Sequence, residues 1–307
     1  MVIIRLMGGL GNQMQQYALY RKFISLGREA CLDTSMYSDE GYRGTVRKLE
    51  INRFPNVEYE TASAEQISRI RGDGSIFRRL RNRIMPSSSS YIREKGMYMP
   101  EIFDRDDVYL EGYWSAEKYY ADIMPSLREA YDFAPMLAAD GCNPAIGDMA
   151  ERIAASDFPV SVHIRRGDYL SPENAALFGG ISTEEYYASA FRYVKERHPE
   201  AEFFIFSDDP GYVREKYGDD ASCVTVDVNH ADDSMYDIYL MSRCSAHICA
   251  NSSFSFWGAR LDEHREQALC IRPSVHVNSQ VFDPDVMRTL WTGWVFIDPQ
   301  GTVRQTV

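Results

Sequence analysis

The chain lacks a basic footprint: 33 Lys and Arg stand against 45 Asp and Glu, a formal charge of −12. Broad nucleic-acid binding requires a surface that neutralises many phosphates, so this balance excludes it and leaves any anionic ligand to be captured locally. Long apolar runs are missing too, and nothing approaches the roughly 20 residues of a bilayer-spanning helix. The first residues, Met1-Val2-Ile3-Ile4-Arg5-Leu6, already read as a strand and not as a leader. Cysteine is sparse: the six residues are scattered with no CxxC pair, as expected of free thiols in a reducing compartment and not of a disulfide framework or a zinc site. No Gly-x-Ser-x-Gly elbow and no glycine-rich loop closing on Lys-Ser/Thr occurs, so two common catalytic signatures are absent. The expectation is a soluble, cytoplasmic protein.

What is present is a globular composition, 45% hydrophobic and 25% charged over 307 residues, which is too long for one core and implies two domains. In the first part, a strand over 2–6 runs into Gly8-Gly9-Leu10-Gly11-Asn12-Gln13 and a helix to about Leu26. A second strand follows over 30–32, and Ser115 reads as the cap of a helix carrying Tyr119, Tyr120, Ile123 and Leu127. Asp140-Gly141-Cys142-Asn143-Pro144 is the linker, placing domains at 1–145 and 146–307. Beyond it, apolar strands over 160–163, 203–206, 223–226, 246–250 and 268–271 alternate with helices. One helix opens on Ser182-Thr183-Glu184-Glu185, the pattern of a capping box. Such alternation predicts a parallel sheet with right-handed crossovers.

Three polar clusters follow three of these strands: His163-Ile164-Arg165-Arg166-Gly167-Asp168, then Ser207-Asp208-Asp209-Pro210, then Asn251-Ser252-Ser253-Phe254 at the start of a helix. Ligands of open α/β sheets sit outside the carboxyl ends of the strands. A guanidinium fork suits phosphate, and a helix N-terminus offers amides and a positive dipole end. Each cluster also has a structural reading, as an ion-pair network closing a strand, a strand-to-helix turn, or plain N-caps. Two rival chemistries have sequence support. Gly9-Leu10-Gly11, with Asp33 about 20 residues on, resembles a dinucleotide fingerprint, which would make the chain a nicotinamide-dependent oxidoreductase. Met14 stands where that fingerprint needs its third glycine. Asp104-Arg105-Asp106-Asp107 has an Asp-x-Asp spacing suited to hard cations, and reads as a solvated loop in so acidic a chain. A non-catalytic sugar or nucleotide binder is the third class.

Together these clusters, with Gly8-Gly9-Leu10-Gly11-Asn12-Gln13-Met14, Tyr109-Leu110-Glu111-Gly112-Tyr113-Trp114 and the stretch 251–258, resemble the inverting, GDP-fucose-dependent α-1,2-fucosyltransferases over nearly the whole length. The resemblance implies a GT-B glycosyltransferase with two Rossmann-like domains facing across a cleft. It implies transfer of L-fucose from GDP-β-L-fucose to the 2-hydroxyl of a terminal β-galactose without a metal, on an oligosaccharide or glycolipid acceptor. It also implies Arg165 on the β-phosphate, with Arg166 beside it; His163 and Asp208 on guanine; Ser252, Ser253 and Phe254 at the diphosphate; and Asn12 reaching the donor from the N-terminal half. For the base that takes the acceptor proton, Asp168 and Glu173 both qualify, Glu173 by its offset of five from the motif aspartate. Gln15 stands where the family commonly has an aromatic residue, and Phe256 and Arg260 stand where it often has tryptophans. The six arginines of 69–83 read as a solvated helix face, or as a peripheral contact with anionic lipid.

Overall fold

Apolar strands joined by helices build two sheets, one parallel and one parallel but for a single edge strand, one in each of the units Met1–Met136 and Leu137–Val307. The computed structural model describes residues 1–38, 47–71, 90–167, 172–265, 267–278 and 283–304.

The N-terminal unit holds β1 (Val2–Arg5), β2 (Ala30–Asp33), β3 (Tyr91–Arg93) and β4 (Val108–Glu111) in the order β2-β1-β4-β3, all parallel. Val2, Ile3 and Ile4 are all wholly buried, as both faces of a parallel sheet require. The helix Leu10–Ser25 returns from β1 to β2 and buries Met14, Tyr17, Leu19 and Phe23. Its entry turns at Gly8, where φ is +82° and an added Cβ would lie 2.6 Å from Asn12 Nδ2, so a side chain there would be strained. Gln13 then ties the loop down: its Oε1 accepts from the amides of Glu50 and Ile51, and its Nε2 donates to the carbonyls of Gly8 and Lys48. The helix expected behind Ser115 is instead two short 3-10 turns, Glu117–Tyr119 and Ala121–Ile123, followed by the helix Met124–Ala130.

The C-terminal unit holds β5 (Pro159–Ile164), β6 (Glu202–Ser207), β7 (Cys223–Val226), β8 (Ala246–Ile248), β9 (Leu269–Pro273), β10 (Trp294–Ile297) and β11 (Val303–Arg304). The order is β11-β10-β9-β8-β5-β6-β7, and only β11 runs antiparallel. Counting from β5, the six parallel strands follow the Rossmann order 3-2-1-4-5-6, in which the order of strand addition reverses between the first and fourth strands. Here that switch lies between β5 and β8. Val160, Val162 and Ile164 pack with Phe203 and Ile205 under Tyr186, Ala190 and Val194 of the helix Glu184–Lys195. The cap of that helix is Thr183, whose hydroxyl accepts from the Tyr186 amide at 3.1 Å. Ser182 does not cap it and turns toward Asn251 instead. Two Rossmann-like α/β units are the organisation of the GT-B class. Among the described residues no helix is long and apolar enough to cross a membrane.

Candidate functional site

Parallel pairing sets β5 beside β6 with His163 opposite Phe206 and Ile164 opposite Ser207, so the residues after the two strands emerge together. Asp208 joins them. Its Oδ2 lies 3.0 Å from Arg165 Nη1, and its Oδ1 accepts from the Arg166 amide at 2.9 Å. Arg166 is held a second time by Asp209, Nε to Oδ2 at 3.1 Å. It is held a third time by the Tyr212 ring, whose centroid is 3.8 Å from the guanidinium carbon. Asp209 Oδ1 caps the helix Pro210–Tyr217 through the Tyr212 amide at 3.0 Å, so one carboxylate fixes both the helix and the arginine. A Cβ at Gly167 would lie 2.4 Å from Asp208 Oδ2; glycine is needed here for closeness of approach.

His163 is 4% exposed. Its carbonyl accepts from Tyr187 Oη at 2.8 Å, and its ring lies tilted against Phe254, centroids 5.7 Å apart. Burial first, and then the Arg165 charge, hold the imidazole well below its ordinary value, against an opposing pull from Asp208. The ring is therefore neutral near pH 7. Its Nδ1 is buried without a hydrogen-bond partner among the described residues, an arrangement that costs about 1–3 kcal/mol and asks for an explanation.

On the other side of the switch, β8 leads through Asn251 to the helix Ser253–Leu261. Ser252 is its N-cap, the hydroxyl accepting from the Phe254 amide at 3.3 Å. Ser255 Oγ donates to the Ser252 carbonyl at 3.1 Å, and Ser182 Oγ donates to Asn251 Oδ1 at 3.1 Å. The first turn of this helix carries no acidic side chain, which leaves its dipole end suited to an anion.

The expected residues His163, Arg165, Arg166, Asp208, Ser252, Ser253 and Phe254 thus share one sheet edge. Asn12 lies in the other unit, in the first turn of Leu10–Ser25 behind β1. Asp168 lies outside the described residues, and Glu173 belongs to the helix Pro172–Phe178 with its side chain likewise outside them. The dinucleotide reading fails at Asp33. That carboxylate is 2% exposed and already accepts from Tyr109 Oη at 2.5 Å and the Ser35 amide at 2.9 Å, so no ribose reaches it. Of the Asp-x-Asp stretch, Asp106 pairs with Arg28 and Asp107 with the N-terminal amine. Among the described residues no three His, Cys, Asp or Glu are placed to hold a metal. In the run 69–83, Arg69 and Arg71 end the helix Ala64–Arg71, and 72–83 lie outside the described residues.

Sequence reading missed Arg272. It is wholly buried near the end of β9, its guanidinium carbon 4.3 Å from the ring centroids of both Phe256 and Trp291 and its Nη2 3.2 Å from His276 Nδ1. Burial and the charges of Arg272 and Arg260 lower His276 to about 3. The signal was available: Cys270-Ile271-Arg272 closes an apolar strand on an arginine, as Ile164-Arg165 does.

The chain is 34% identical to an α-1,2-colitosyltransferase of Escherichia coli over 86% of its own length and 88% of that protein's. It is 29% identical to the Escherichia coli O-antigen biosynthesis glycosyltransferase WbnK, covering 85% of this chain and 90% of the relative. It is 24% identical to the mouse galactoside 2-α-L-fucosyltransferase Sec1, covering 85% and 64%. The model of glycosyl transferase family 11 matches residues 83–297. An edge that gathers two arginines, a neutral histidine and a serine-capped helix at a Rossmann switch point agrees with that match, and the chain belongs to glycosyl transferase family 11.

Proposed function

We propose that this enzyme transfers L-fucose from GDP-β-L-fucose to the 2-hydroxyl of a terminal β-galactose with inversion, forming an α-1,2 linkage without a metal. The observation that carries the reading is the fixed pair Arg165 and Arg166 beyond β5, beside the serine-capped helix that follows β8. The names of the relatives agree with it, one being an α-1,2-colitosyltransferase and another a galactoside 2-α-L-fucosyltransferase.

In this reading the diphosphate lies on Ser252, Ser253 and the helix amides, while Arg165 meets the β-phosphate. The ion pair with Asp208 holds the Arg165 fork in orientation. As the C1–O bond to GDP breaks, the sugar gains oxocarbenium character and negative charge gathers on the β-phosphate. A cation fixed in advance stabilises that charge more in the transition state than in the ground state. His163 and Asp208 recognise guanine. The acceptor proton goes to Asp168 or Glu173.

Incubation with GDP-fucose, lactose and EDTA tests the reading. The expected product is lactose plus one deoxyhexose, with unchanged yield under EDTA and methylation analysis placing the link at the galactose 2-position. No transfer to any β-galactoside, or loss of transfer under EDTA, overturns it. A colitosyl donor is the second donor to compare, because of the relative named for that transfer.

A further inference from the structure

At the carboxyl edge of the N-terminal sheet a carboxylate is built into a turn with one oxygen engaged. Glu94 follows β3, and its amide donates to the Glu111 carbonyl at 2.8 Å, extending the pairing with β4 by one residue. Its Oε2 accepts from the backbone amides of Tyr113 at 2.7 Å and Trp114 at 3.0 Å. The turn that delivers those amides is tightly specified. A Cβ on Gly112 would lie 2.5 Å from Glu94 Cβ. The Gly112 carbonyl is anchored by Gln16 Nε2 at 2.9 Å, and Gln16 Oε1 in turn takes the Met7 amide at 2.9 Å. Trp114 is wholly buried and sits at φ +52°, a conformation that costs a bulky residue energy and that clusters at functional sites.

All of this serves Oε2. Among the described residues the other oxygen, Oε1, makes no hydrogen bond, and it is not among the fully buried unpartnered polar atoms. No charged neighbour contributes to its electrostatics among the described residues. Burial raises the carboxyl to about 7 in spite of the two amides. A purely structural staple needs only an acceptor, which a neutral glutamine supplies without the desolvation of a charge. A half-buried carboxylate with one open oxygen is instead suited to donors that are not part of the chain. Beside it stands Tyr113, a residue 45% exposed. The buried faces behind are aromatic too: Trp114 meets Tyr119 edge-on at 5.7 Å, and Tyr119 lies 4.8 Å from Tyr98.

We infer that Glu94 Oε1 and the Tyr113 ring form a hexopyranoside-binding site, the carboxylate accepting from sugar hydroxyls and the ring covering the sugar's C–H face. Charge-assisted hydrogen bonds supply orientation, and a tyrosine ring supplies apolar area at little entropic cost. That this sugar is the acceptor rests on the proposed function; that a sugar binds here does not.

The experiment uses the full chain with Glu94→Gln and Tyr113→Ala. The first variant keeps an oxygen for the two amides, and the second removes an exposed ring, so both retain the wild-type melting temperature to within a few degrees. Titration with methyl β-galactoside, followed by ligand-observed NMR, is expected to show affinity lowered about tenfold or more in each variant. In the transferase assay the acceptor KM rises by the same factor, while the KM for GDP-fucose and the slow hydrolysis of GDP-fucose without acceptor stay unchanged. Equal galactoside affinity in wild type and variants, or donor KM rising in step with acceptor KM, overturns the inference. A wild type that binds galactoside through Glu94 but transfers nothing overturns the proposed function and leaves this site standing.

Discussion

Gly167→Ala is the sharpest test of how the arginine pair is held. The new Cβ would sit 2.4 Å from Asp208 Oδ2, and ordinary contact begins near 3.4 Å. The carboxylate must therefore retreat by about 1 Å, and two interactions lie on it: the 3.0 Å ion pair with Arg165 and the 2.9 Å hydrogen bond from the Arg166 amide. Both stretch beyond hydrogen-bond range together. Arg165 and Asp208 are each about a quarter exposed, with side-chain values of 26% and 25%, so solvent screens much of the loss and the cost to stability is about 1 kcal/mol. Catalysis is far less tolerant, since a misplacement of about 1 Å in a positioned group can cost about 10²-fold. The expected outcome is turnover reduced on the order of 10²-fold with a melting temperature only slightly lowered. Gly147→Ala is the control. It lies in the helix Pro144–Ala154 with nothing within 4 Å of its added Cβ, and is expected to gain about 1 kcal/mol of stability with unchanged turnover. Near-native turnover in Gly167→Ala would refute the argument that Asp208 orients the arginines.

Arg165→Lys keeps the charge but loses the fork, and turnover is expected to fall about 10²–10³-fold; initial rates near wild type would remove Arg165 from the β-phosphate. Behind the sheet edge, Ser161 Oγ lies 2.8 Å from His247 Nδ1 and His247 Nε2 lies 3.2 Å from Asp262 Oδ2, all three residues being buried. Asp262→Ala strands the imidazole N–H, and a loss of about 3 kcal/mol is expected in urea unfolding; an unchanged midpoint contradicts it. Glu94 supplies a pH test with a definite sign. Its carboxyl is raised from 4.5 to about 7, so the folded state binds its proton more tightly than the unfolded state does. The stability this adds is complete below 4.5 and disappears as pH climbs toward 7, a change of about 3 kcal/mol. Glu94→Gln removes the dependence, and parallel stability–pH curves for wild type and variant would show that the shift is absent.

The elements that were legible in the sequence were those whose signal is local. Val160 and Val162 mark a strand because a strand buried on both faces needs a continuous apolar run. The clusters after β5, β6 and β8 were visible because charged and hydroxyl side chains ending such runs are costly unless something binds them. Local signals failed where two readings were equally good. Ser182 and Thr183 both have an acidic residue three positions on or nearby, and only the packing of Ser182 against Asn251 selects Thr183 as the cap. Ser115 precedes a helical pattern, yet Glu117–Tyr119 and Ala121–Ile123 form 3-10 turns, with Tyr119 and Tyr120 both buried.

Residue order alone determined that there would be parallel α/β units and which side chains would crowd one edge of the second, because strand and helix periodicity and the sign of a charge are properties of neighbours in the chain. Tertiary structure alone decided what those side chains do to one another. The strand order that brings β8 beside β5, the carboxylate of Asp208 pressed on Gly167, Asp33 consumed by Tyr109, and Glu94 lodged against Gly112 join residues far apart in sequence. Such contacts arise only when sheets pair and cores close, and no window along the chain contains both partners.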